Sequence, residues 1–404
     1  MEARELAAEA TGPLKGVRVL DMTGVVFGAY ATSILGDQGA DVFKLEFPGG
    51  KRGDGGDTMR WNPITPARAH GLGPIFMTIN RNKRSLLLDL REERARRALR
   101  RLIKTCDVFA ATVRYEGLKR LALDYESVRA IRPDIVYCHG SGYGSGGPYA
   151  GDPAYDDLIQ AQSGLSDLIP RADGDPTPRH LPTLAADKVA GLFMAQAITA
   201  ALFHRAKTGE GQFVEAPMLE CSVAFNLLEN FFGHVYEPPA GQWAYNRSAT
   251  QARRPYATRD GYIGLLPYSD TDWRNFFALA GMPDVSSDPR FVDFPSRAQN
   301  VDALYQMVAE AVATKTTDEW LTLLRPLQIP VARMNRLDEL MDDPHLRAVG
   351  LFERYEHPTA GPYNTLRPPV RFSATPANIR RHPPRLGQDT DAVLAEIEAL
   401  DLAD

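Results

Sequence analysis

The feature that most constrains this chain is the alternation of strand and helix signals in its first third. Residues 17–21 and 41–46 are short apolar, β-branched runs, and apolar residues at helical spacing lie between them. Such a β-α-β unit closes with a right-handed crossover, which makes its two strands parallel. Further strand patterns lie at 85–90, 107–112 and 134–139. This order predicts an α/β fold with a doubly wound, Rossmann-like parallel sheet.

The rest of the chain shows a different organisation. An apolar helical pattern covers 188–207, and an irregular, polar segment follows at 238–255. A hairpin pattern with an Asp-Gly turn covers 256–266, and a long helical pattern covers 301–324. Because 404 residues exceed the length of a typical domain, the irregular segment indicates a domain boundary or an inserted loop.

Composition and charge exclude several classes of protein. The net charge of −5 offers no bulk attraction to nucleic acid or anionic membranes. The charged residues 1–12 lack the apolar core of a signal peptide, and the apolar stretch 189–203 is shorter than the roughly 20 residues of a membrane span. Three widely separated cysteines favour neither a disulfide framework nor a zinc site. We therefore predict a cytoplasmic protein without a nucleic-acid or membrane partner.

The first β-α-β unit suggests a dinucleotide site, which the residues then argue against. Glu46 ends the second strand, where an acid would bind a ribose. The turn at 23–28 reads Thr-Gly-Val-Val-Phe-Gly, so its glycines are spaced GxxxG and the GxGxxG fingerprint is missing. The eight histidines show no metal-binding spacing. The sequence therefore predicts neither NAD, FAD nor a metal as cofactor.

Asp187 is the acid with the most informative surroundings. It precedes an apolar helical pattern, and an aspartate at that place is typical of a helix N-cap, which needs no chemistry. A carboxylate among apolar residues at a helix start also has the surroundings of a nucleophile or a base, because the helix dipole favours its charge. The residues alone leave both interpretations open.

Several phrases of the sequence together resemble one family, the class III CoA-transferases, which includes formyl-CoA and carnitine CoA-transferases. They follow one another in the expected order from Pro13 to Leu400. The main phrases are PLKGVRVLD at 13–21, LGDQGADV at 35–42, NKRS at 82–85, KTGEGQ at 207–212 and LGQDT at 386–390. The ordered set, rather than any one phrase, carries the resemblance.

The resemblance implies an enzyme that moves CoA from an acyl-CoA thioester to a free carboxylic acid. CoA is then a substrate, and no cofactor is bound permanently. The implied fold has a large α/β domain, 1–224 with 331–404, and a smaller α+β domain, 225–330, in an interlocked homodimer. Asp187 matches the family's nucleophile, which forms an aspartyl anhydride and then an aspartyl-CoA thioester.

The resemblance also carries over contacts with CoA. The matching residues are Val26, Phe27, Leu88, Arg91, Thr112, Val113, Arg114, Arg120, Tyr155 and Asp156. Val26 stands where the formyl-CoA enzymes have a glutamine, and the glycine-rich loop of those enzymes has no counterpart between Tyr245 and Arg254. These departures argue against formyl or oxalate chemistry.

An α-methylacyl-CoA racemase is the alternative, since it shares the fold and the CoA site. Racemisation needs two acid/base groups, and the position of the subfamily's histidine is Tyr155 here. Tyrosine has an unperturbed pKa of roughly 10, which suits a base near neutrality poorly. For the acceptor carboxylate the sequence offers Arg253, Arg254 and Tyr256 in and beside the irregular segment, where a surface role is equally consistent.

Overall fold

The fold is described from a computed structural model, which covers residues 2–49, 55–61 and 64–401. Its strands in these ranges are β1 (Arg18–Met22), β2 (Asp41–Glu46), β3 (Lys83–Leu87), β4 (Val108–Ala111), β5 (Val136–Ser141), β6 (Phe213–Pro217), β7 (Tyr256–Ala257), β8 (Tyr262–Leu265), β9 (Val331–Arg333), β10 (Phe352–His357) and β11 (Gly361–Leu366).

Helices occupy most of the chain between these strands. The α-helices are α1 (Phe27–Asp37), α2 (Pro74–Ile79), α3 (Glu93–Thr105), α4 (Tyr115–Arg120), α5 (Tyr125–Ile131), α6 (Asp156–Gln162), α7 (Leu165–Asp173), α8 (Ala185–Thr208), α9 (Met218–Asn230), α10 (Asp270–Leu279), α11 (Phe294–Gln299), α12 (Val301–Val312), α13 (Thr317–Leu324), α14 (Pro344–Ala348) and α15 (Thr390–Asp401). Short 3₁₀ helices lie at Thr58–Arg60, Ala67–Ala69, Phe232–Val235, Pro283–Ser287, Arg325–Leu327 and Leu337–Asp342.

The chain divides into two compact units. Unit 1 contains the described residues of 1–163, 182–225 and 345–404, and unit 2 contains 164–181 and 226–344. The smaller domain implied by the resemblance covered 225–330, whereas unit 2 runs to Pro344 and also includes the segment 164–181.

Unit 1 is built on a six-stranded parallel sheet in the order β3-β2-β1-β4-β5-β6. Helices cover both of its faces, so the predicted doubly wound α/β architecture is confirmed. The sequence pattern did not predict β6, because this edge strand is short, partly exposed and ends in a proline.

Alternate apolar residues along each strand pack on opposite faces of the sheet. Val19 and Val42 pack on the side of α1 and α8, whereas Leu20 and Phe43 pack on the side of α3 and α15. Burial on both faces is what a parallel sheet requires, and it explains why these strands read as continuous apolar runs.

Ionic residues interrupt the apolar layer beneath α1. Lys83 is buried, and its Nζ contacts Asp21 Oδ2 at 3.0 Å, the Ala29 carbonyl at 2.9 Å and Thr32 Oγ1 at 2.8 Å. Burial lowers the pKa of Lys83 to about 8, although the charge of Asp21 opposes this shift. The ammonium thus joins β3 to β1 and to the first half of α1.

Two further buried ion pairs lie beside this contact. Lys44 Nζ lies 2.9 Å from Asp57 Oδ2 and donates to the Thr23 carbonyl at 2.9 Å. Arg60 binds both oxygens of Glu46, at 2.7 and 2.6 Å. The carboxylate of Glu46 is therefore engaged inside the protein and does not occupy the position of a ribose-binding acid.

Helix α8 is longer than the apolar stretch 189–203 that the sequence suggested. It has 24 residues, and an 18-residue window with a mean hydropathy of 1.3 is apolar enough, by length and composition, to cross a membrane. Half of that window is buried inside the protein, where Gly191 packs against the Phe27 carbonyl and Tyr30 of α1. A buried core helix meets the same criterion, so this finding is weak evidence for a membrane.

Unit 2 has a hydrophobic core of its own, built from α10, α12, α13 and the antiparallel sheet β7-β8-β9. The pairing of β7 with β8 confirms the hairpin predicted over 256–266. The single helix predicted over 301–324 is wrong, because Thr316 and Glu319 form a capping box that begins a second helix, α13.

We predict that Lys83→Met lowers the free energy of unfolding by about 3–5 kcal/mol, because it leaves the carboxylate of Asp21 buried without its main cation. Urea denaturation at pH 7 measures this loss. Lys15→Met is the matched control, since Lys15 pairs with Glu9 at the surface, and it should change stability by less than about 0.5 kcal/mol. Equal effects of the two variants would contradict the prediction.

Candidate active site

The carboxyl edge of the parallel sheet contains a point where the chain leaves adjacent strands in opposite directions. From β1 it returns at β2 on one side, and from β4 it returns at β5 on the other. In a doubly wound sheet such a switch point opens a crevice for a ligand. A cleft of about 840 Å³ lies there in unit 1, lined by the segments that follow β1, β4 and β5.

Close backbone packing shapes the floor of this cleft. A Cβ atom on Gly28 would lie 2.6 Å from Thr112 Cγ2, and one on Gly140 would lie 2.7 Å from the ring of Phe27. Phe27 and Thr112, two of the predicted CoA contacts, line the cleft. The structure places the side chain of Val26 elsewhere, buried in a small apolar cluster with Ala29.

The turn between β1 and α1 holds a strained residue at the wall of the cleft. Val25 has a φ of 61°, a left-handed conformation that β-branched residues rarely adopt. Its N–H donates to Asp57 Oδ1 at 3.2 Å, and the preceding N–H of Gly24 donates to Thr112 Oγ1 at 3.3 Å. Since Lys44 holds both Asp57 and the Thr23 carbonyl, the buried ion pair fixes the turn from below.

Asp187 lines the same cleft, in the first turn of α8. The helix begins at Ala185 and its N-cap is Leu184, without a side-chain capping bond, so the N-cap interpretation of Asp187 is wrong. The residue is only 7% exposed, and none of the residues in the described ranges donates a hydrogen bond to its carboxylate. A buried acid that neither caps nor pairs is available for chemistry.

Asp156 lies behind Asp187 and is buried rather than exposed to the cleft. Its Oδ1 accepts the backbone N–H of Asp187 at 3.0 Å, and its Oδ2 accepts the side-chain amide of Gln160 at 2.6 Å. The amide also donates to the Thr183 carbonyl at 3.0 Å, which ties α6 to the start of α8. Burial, and secondly the charge of Asp156, raise the pKa of Asp187 to about 7.

Two cations face the cleft from the segment after β4. Arg114 precedes α4 and Arg120 ends it, and both line the cleft with exposed side chains. Neither forms an ion pair with any residue that the structure describes, whereas the neighbouring Lys119 pairs with Glu116. Free guanidinium groups at one end of a cleft suit the phosphates of a ligand.

Three other predicted CoA contacts do not line the cleft. Leu88 is buried in the apolar layer on the α3 side of the sheet. Arg91 is exposed and binds Asp89 through two nitrogens. The carbonyl oxygen of Val113 lies 3.0 Å from His139 Nε2, within hydrogen-bond distance. Their part in binding a ligand remains a prediction.

Tyr155 and the loop that precedes it form the outer wall of the cleft. Tyr155 is 65% exposed and lines the cleft as the N-cap residue of α6. The loop at 142–154 is held by two acids, since Glu215 accepts two hydrogen bonds from Ser145 and Glu220 accepts the N–H of Gly144. The sequence did not predict this loop as part of the site, although its Gly and Pro content is typical of the surface loops that carry binding residues.

The residues that the sequence offered for the acceptor carboxylate differ in their exposure. Tyr256 is buried in the core of unit 2, where burial raises the pKa of its phenol, so it does not offer its side chain to a ligand. Arg253 and Arg254 are exposed. Across the described ranges no cluster of three or more His, Cys, Asp or Glu side chains has the arrangement of a metal site.

Comparison with known proteins identifies similar chains of nearly the same length. The family model described as CoA-transferase family III matches residues 14–390. Succinyl-CoA:glutarate CoA-transferase from Mus musculus is 31% identical over 95% of this chain and 86% of its own, and succinate–glutarate CoA-transferase from Agrobacterium fabrum is 30% identical over 96% of both. The crystal structure of a CAIB/BAIF family protein from Brucella suis aligns with a TM-score of 0.78 and 29% identity, covering 96% of this chain and 100% of that one.

We predict that Asp187→Asn stabilises the folded chain at pH 8 by roughly 1–3 kcal/mol, because it removes a buried charge that has no partner in the described part of the chain. With its pKa raised to about 7, folded Asp187 keeps a proton that the unfolded chain releases above about pH 4, so wild-type stability falls as the pH rises from 4 to 7. Urea denaturation at pH 5 and pH 8 should therefore show a smaller difference between the two proteins at pH 5. A less stable variant at pH 8 would argue against this account.

Proposed function

This chain belongs to CoA-transferase family III, and on that premise we propose that it moves CoA between carboxylic acids through covalent intermediates on Asp187. The observation that carries the proposal is the buried carboxylate of Asp187 at the wall of the switch-point cleft, to which no described residue donates a hydrogen bond. Its neighbours Arg114 and Arg120 supply positive charge for the CoA phosphates in the same cleft.

The reaction begins with attack of a carboxylate oxygen of Asp187 on the carbonyl carbon of the acyl-CoA thioester. The C–S bond breaks, CoA leaves as the thiolate, and the acyl group and Asp187 form a mixed anhydride. The thiolate then attacks the Asp187 carbonyl carbon, which releases the donor acid as a carboxylate and leaves an aspartyl-CoA thioester. No proton is gained or lost in these steps.

The acceptor acid reverses the sequence. Its carboxylate attacks the aspartyl-CoA carbonyl carbon and expels the thiolate, which gives an anhydride between Asp187 and the acceptor. Attack of the thiolate on the acceptor carbonyl carbon forms the new acyl-CoA and restores Asp187. Charge develops on a carbonyl oxygen in each addition, and α1, whose first residue Phe27 lines the cleft, has backbone amides at its N-terminus that suit this charge.

The surroundings of Asp187 suit a nucleophile rather than a structural acid. Burial raises the pKa to about 7, so the carboxylate is more basic than an exposed aspartate yet still largely ionised above neutrality. The hydrogen bond from its backbone N–H to Asp156 fixes the first turn of α8, which positions the side chain at the cleft.

Racemisation of a 2-methylacyl-CoA is the second candidate, because it would use the same cleft. Tyr155 occupies the position that needs a base, and a phenol suits proton abstraction near neutrality less well than the imidazole it replaces. We therefore favour transfer over racemisation. The homodimer, its interlocking and the cytoplasmic location remain predictions; exposed Leu192, Phe193 and Phe203 on α8 are consistent with a partner subunit.

We predict that Asp187→Ala abolishes transfer of labelled CoA from an acyl-CoA donor to a free acid, while circular dichroism shows an unchanged fold. Hydroxylamine added with acyl-CoA should convert Asp187 of the wild type to a hydroxamate, detected by mass spectrometry of the tryptic peptide. In D₂O the α-carbon of a 2-methylacyl-CoA should take up no deuterium. Rapid deuterium uptake without an acceptor acid would instead favour racemisation.

Replacing Arg114 or Arg120 by alanine should weaken CoA binding by about 1.5–3 kcal/mol each, since each removes a hydrogen bond to a charged phosphate. Isothermal calorimetry with CoA measures the change. Arg100→Ala is the control, because Arg100 is an exposed arginine on α3 that does not line the cleft. If both cleft variants bind CoA like the control, the phosphates lie elsewhere, and Arg91→Ala is the next variant to measure.

A further inference from the structure

A second cavity of unit 1 lies beside β3, the strand at one edge of the parallel sheet. Its volume is about 440 Å³, within the roughly 300–1,000 Å³ typical of small-molecule sites. Lys83 of β3 and the C-terminal segment 380–389 form most of its wall. Among the described residues it shares none with the lining of the cleft, and β2 and β1 separate β3 from β4 in the sheet. The cavity is therefore distinct from the site proposed for CoA transfer.

The C-terminal segment is fixed along β3 by hydrogen bonds at both of its ends. The N–H of Asn82 donates to the Arg381 carbonyl at 3.1 Å, and Asn82 Oδ1 accepts the N–H groups of Arg380 and Arg381 at 2.8 and 3.1 Å. At the other end, the N–H of Asp389 donates to the Ser85 carbonyl at 3.0 Å, and the N–H of Ser85 donates to Asp389 Oδ2 at 2.9 Å. The side chains between these contacts stand on a fixed backbone, which lowers the entropic cost of binding a ligand.

The lining of this cavity has an excess of positive charge. Its cations are Lys83, Arg380, Arg381 and Arg385. Among the described lining residues Asp389 is the only carboxylate. Lys83 is compensated by Asp21, which lies 3.0 Å from its ammonium group. The three arginines and Asp389 therefore leave two positive charges without a partner in the cavity.

The three arginines differ in what they bind, but none of them pairs with a described carboxylate. Arg380 is half-buried, and its two terminal nitrogens donate to the backbone carbonyls of Gly36 and Ala40. Burial lowers the pKa of Arg380, and the charge of Arg381 adds to this shift. Arg381 and Arg385 are exposed, and neither side chain forms a hydrogen bond or ion pair with a residue in the described ranges. An anion bound here would offset the repulsion between neighbouring cations.

Two histidines complete the polar part of the lining. His357 Nδ1 accepts the N–H of Thr359 at 3.2 Å, so its Nε2 carries the proton and donates to the Pro383 carbonyl at 3.0 Å. His382 Nδ1 lies 2.9 Å from the hydroxyl oxygen of Tyr363, and its Nε2 forms no hydrogen bond with a described residue. His357 is therefore a neutral structural residue, whereas His382 retains one free ring nitrogen for a ligand.

We propose that this cavity binds the phosphate group of a small phosphate monoester, with Arg381 and Arg385 as its principal contacts. A phosphate monoester carries about two negative charges at neutral pH, which matches the two positive charges without a partner. Its three terminal oxygens accept the forked hydrogen bonds that guanidinium groups donate. Leu6 and Pro358 supply an apolar part of the wall for the organic part of the ester. The site does not depend on the proposed transfer of CoA.

Ligand-observed NMR with the full-length protein, at pH 8 and constant ionic strength, tests the class of ligand. Phenyl phosphate, a dianion, should bind roughly tenfold more tightly than methyl phenyl phosphate, a monoanion of similar shape, because it compensates both charges. It should also bind more tightly than inorganic phosphate, which has no apolar part to bury. Equal affinity for the two esters would overturn the match of charges, and equal affinity for inorganic phosphate would overturn the assignment of an ester.

Variants then assign the binding to the two exposed arginines. Arg381→Ala and Arg385→Ala should each weaken phenyl phosphate binding roughly ten- to hundredfold, and the lysine variants, which keep the charge without the fork, should weaken it less. Arg371→Ala is the matched control, because Arg371 is exposed in the same part of the chain and does not line the cavity. Circular dichroism checks that each variant is folded. Unchanged affinity in both alanine variants would overturn the proposal.

A second pair of variants separates this cavity from the cleft. Replacing both Arg114 and Arg120 by alanine removes the cations of the cleft and should leave the affinity for phenyl phosphate within about twofold of wild type, because the two sites share no residues. Loss of binding in this variant, with binding retained in Arg381→Ala, would overturn the proposal. If the wild type transfers no CoA yet Arg381 and Arg385 still govern phenyl phosphate binding, the proposed function fails and the phosphate site stands.

Discussion

The arrangement of unit 1 depends on charges buried beneath α1. Lys83 joins β3, β1 and α1 through one ammonium group, and Lys44 with Asp57 holds the turn that follows β1. Buried ion pairs contribute little net stability, because desolvation offsets their attraction, but an uncompensated member is strongly unfavourable. The network therefore selects one arrangement of strands, helix and turn, and it lets Val25 keep its left-handed conformation beside the cleft.

The buried carboxylate of Asp187 differs from the buried ions beneath α1 in its surroundings. The ions beneath α1 are paired, whereas the carboxylate of Asp187 faces the cleft without a donor among the described residues. Such a site makes the folded chain less stable at neutral pH and keeps the carboxylate reactive, a compromise expected at functional positions. Asp156 contributes to both effects, since it binds the backbone of Asp187 and repels its charge.

The arginines of the described residues also divide into those that pair with a carboxylate and those that do not. Arg91 and Arg297 have carboxylate partners, whereas Arg114, Arg120 and Arg247 have none among the described residues, and each of these three lines a cavity. Exposed arginines such as Arg100 also form no ion pair with a described residue but line no cavity, so it is the combination of a missing partner with a place in a cavity that marks the candidates.

The sequence by itself determined the parallel sheet, because β-branched runs alternating with helical spacing permit few other folds. It also brought Asp187, Arg120 and Phe27 forward, through phrases that resemble a family. Only the tertiary structure decided that Asp187 is no N-cap, that Glu46 is engaged by Arg60, and that no described carboxylate pairs with Arg247. These properties depend on which side chains meet across long separations in the chain, and local patterns carry no record of such contacts.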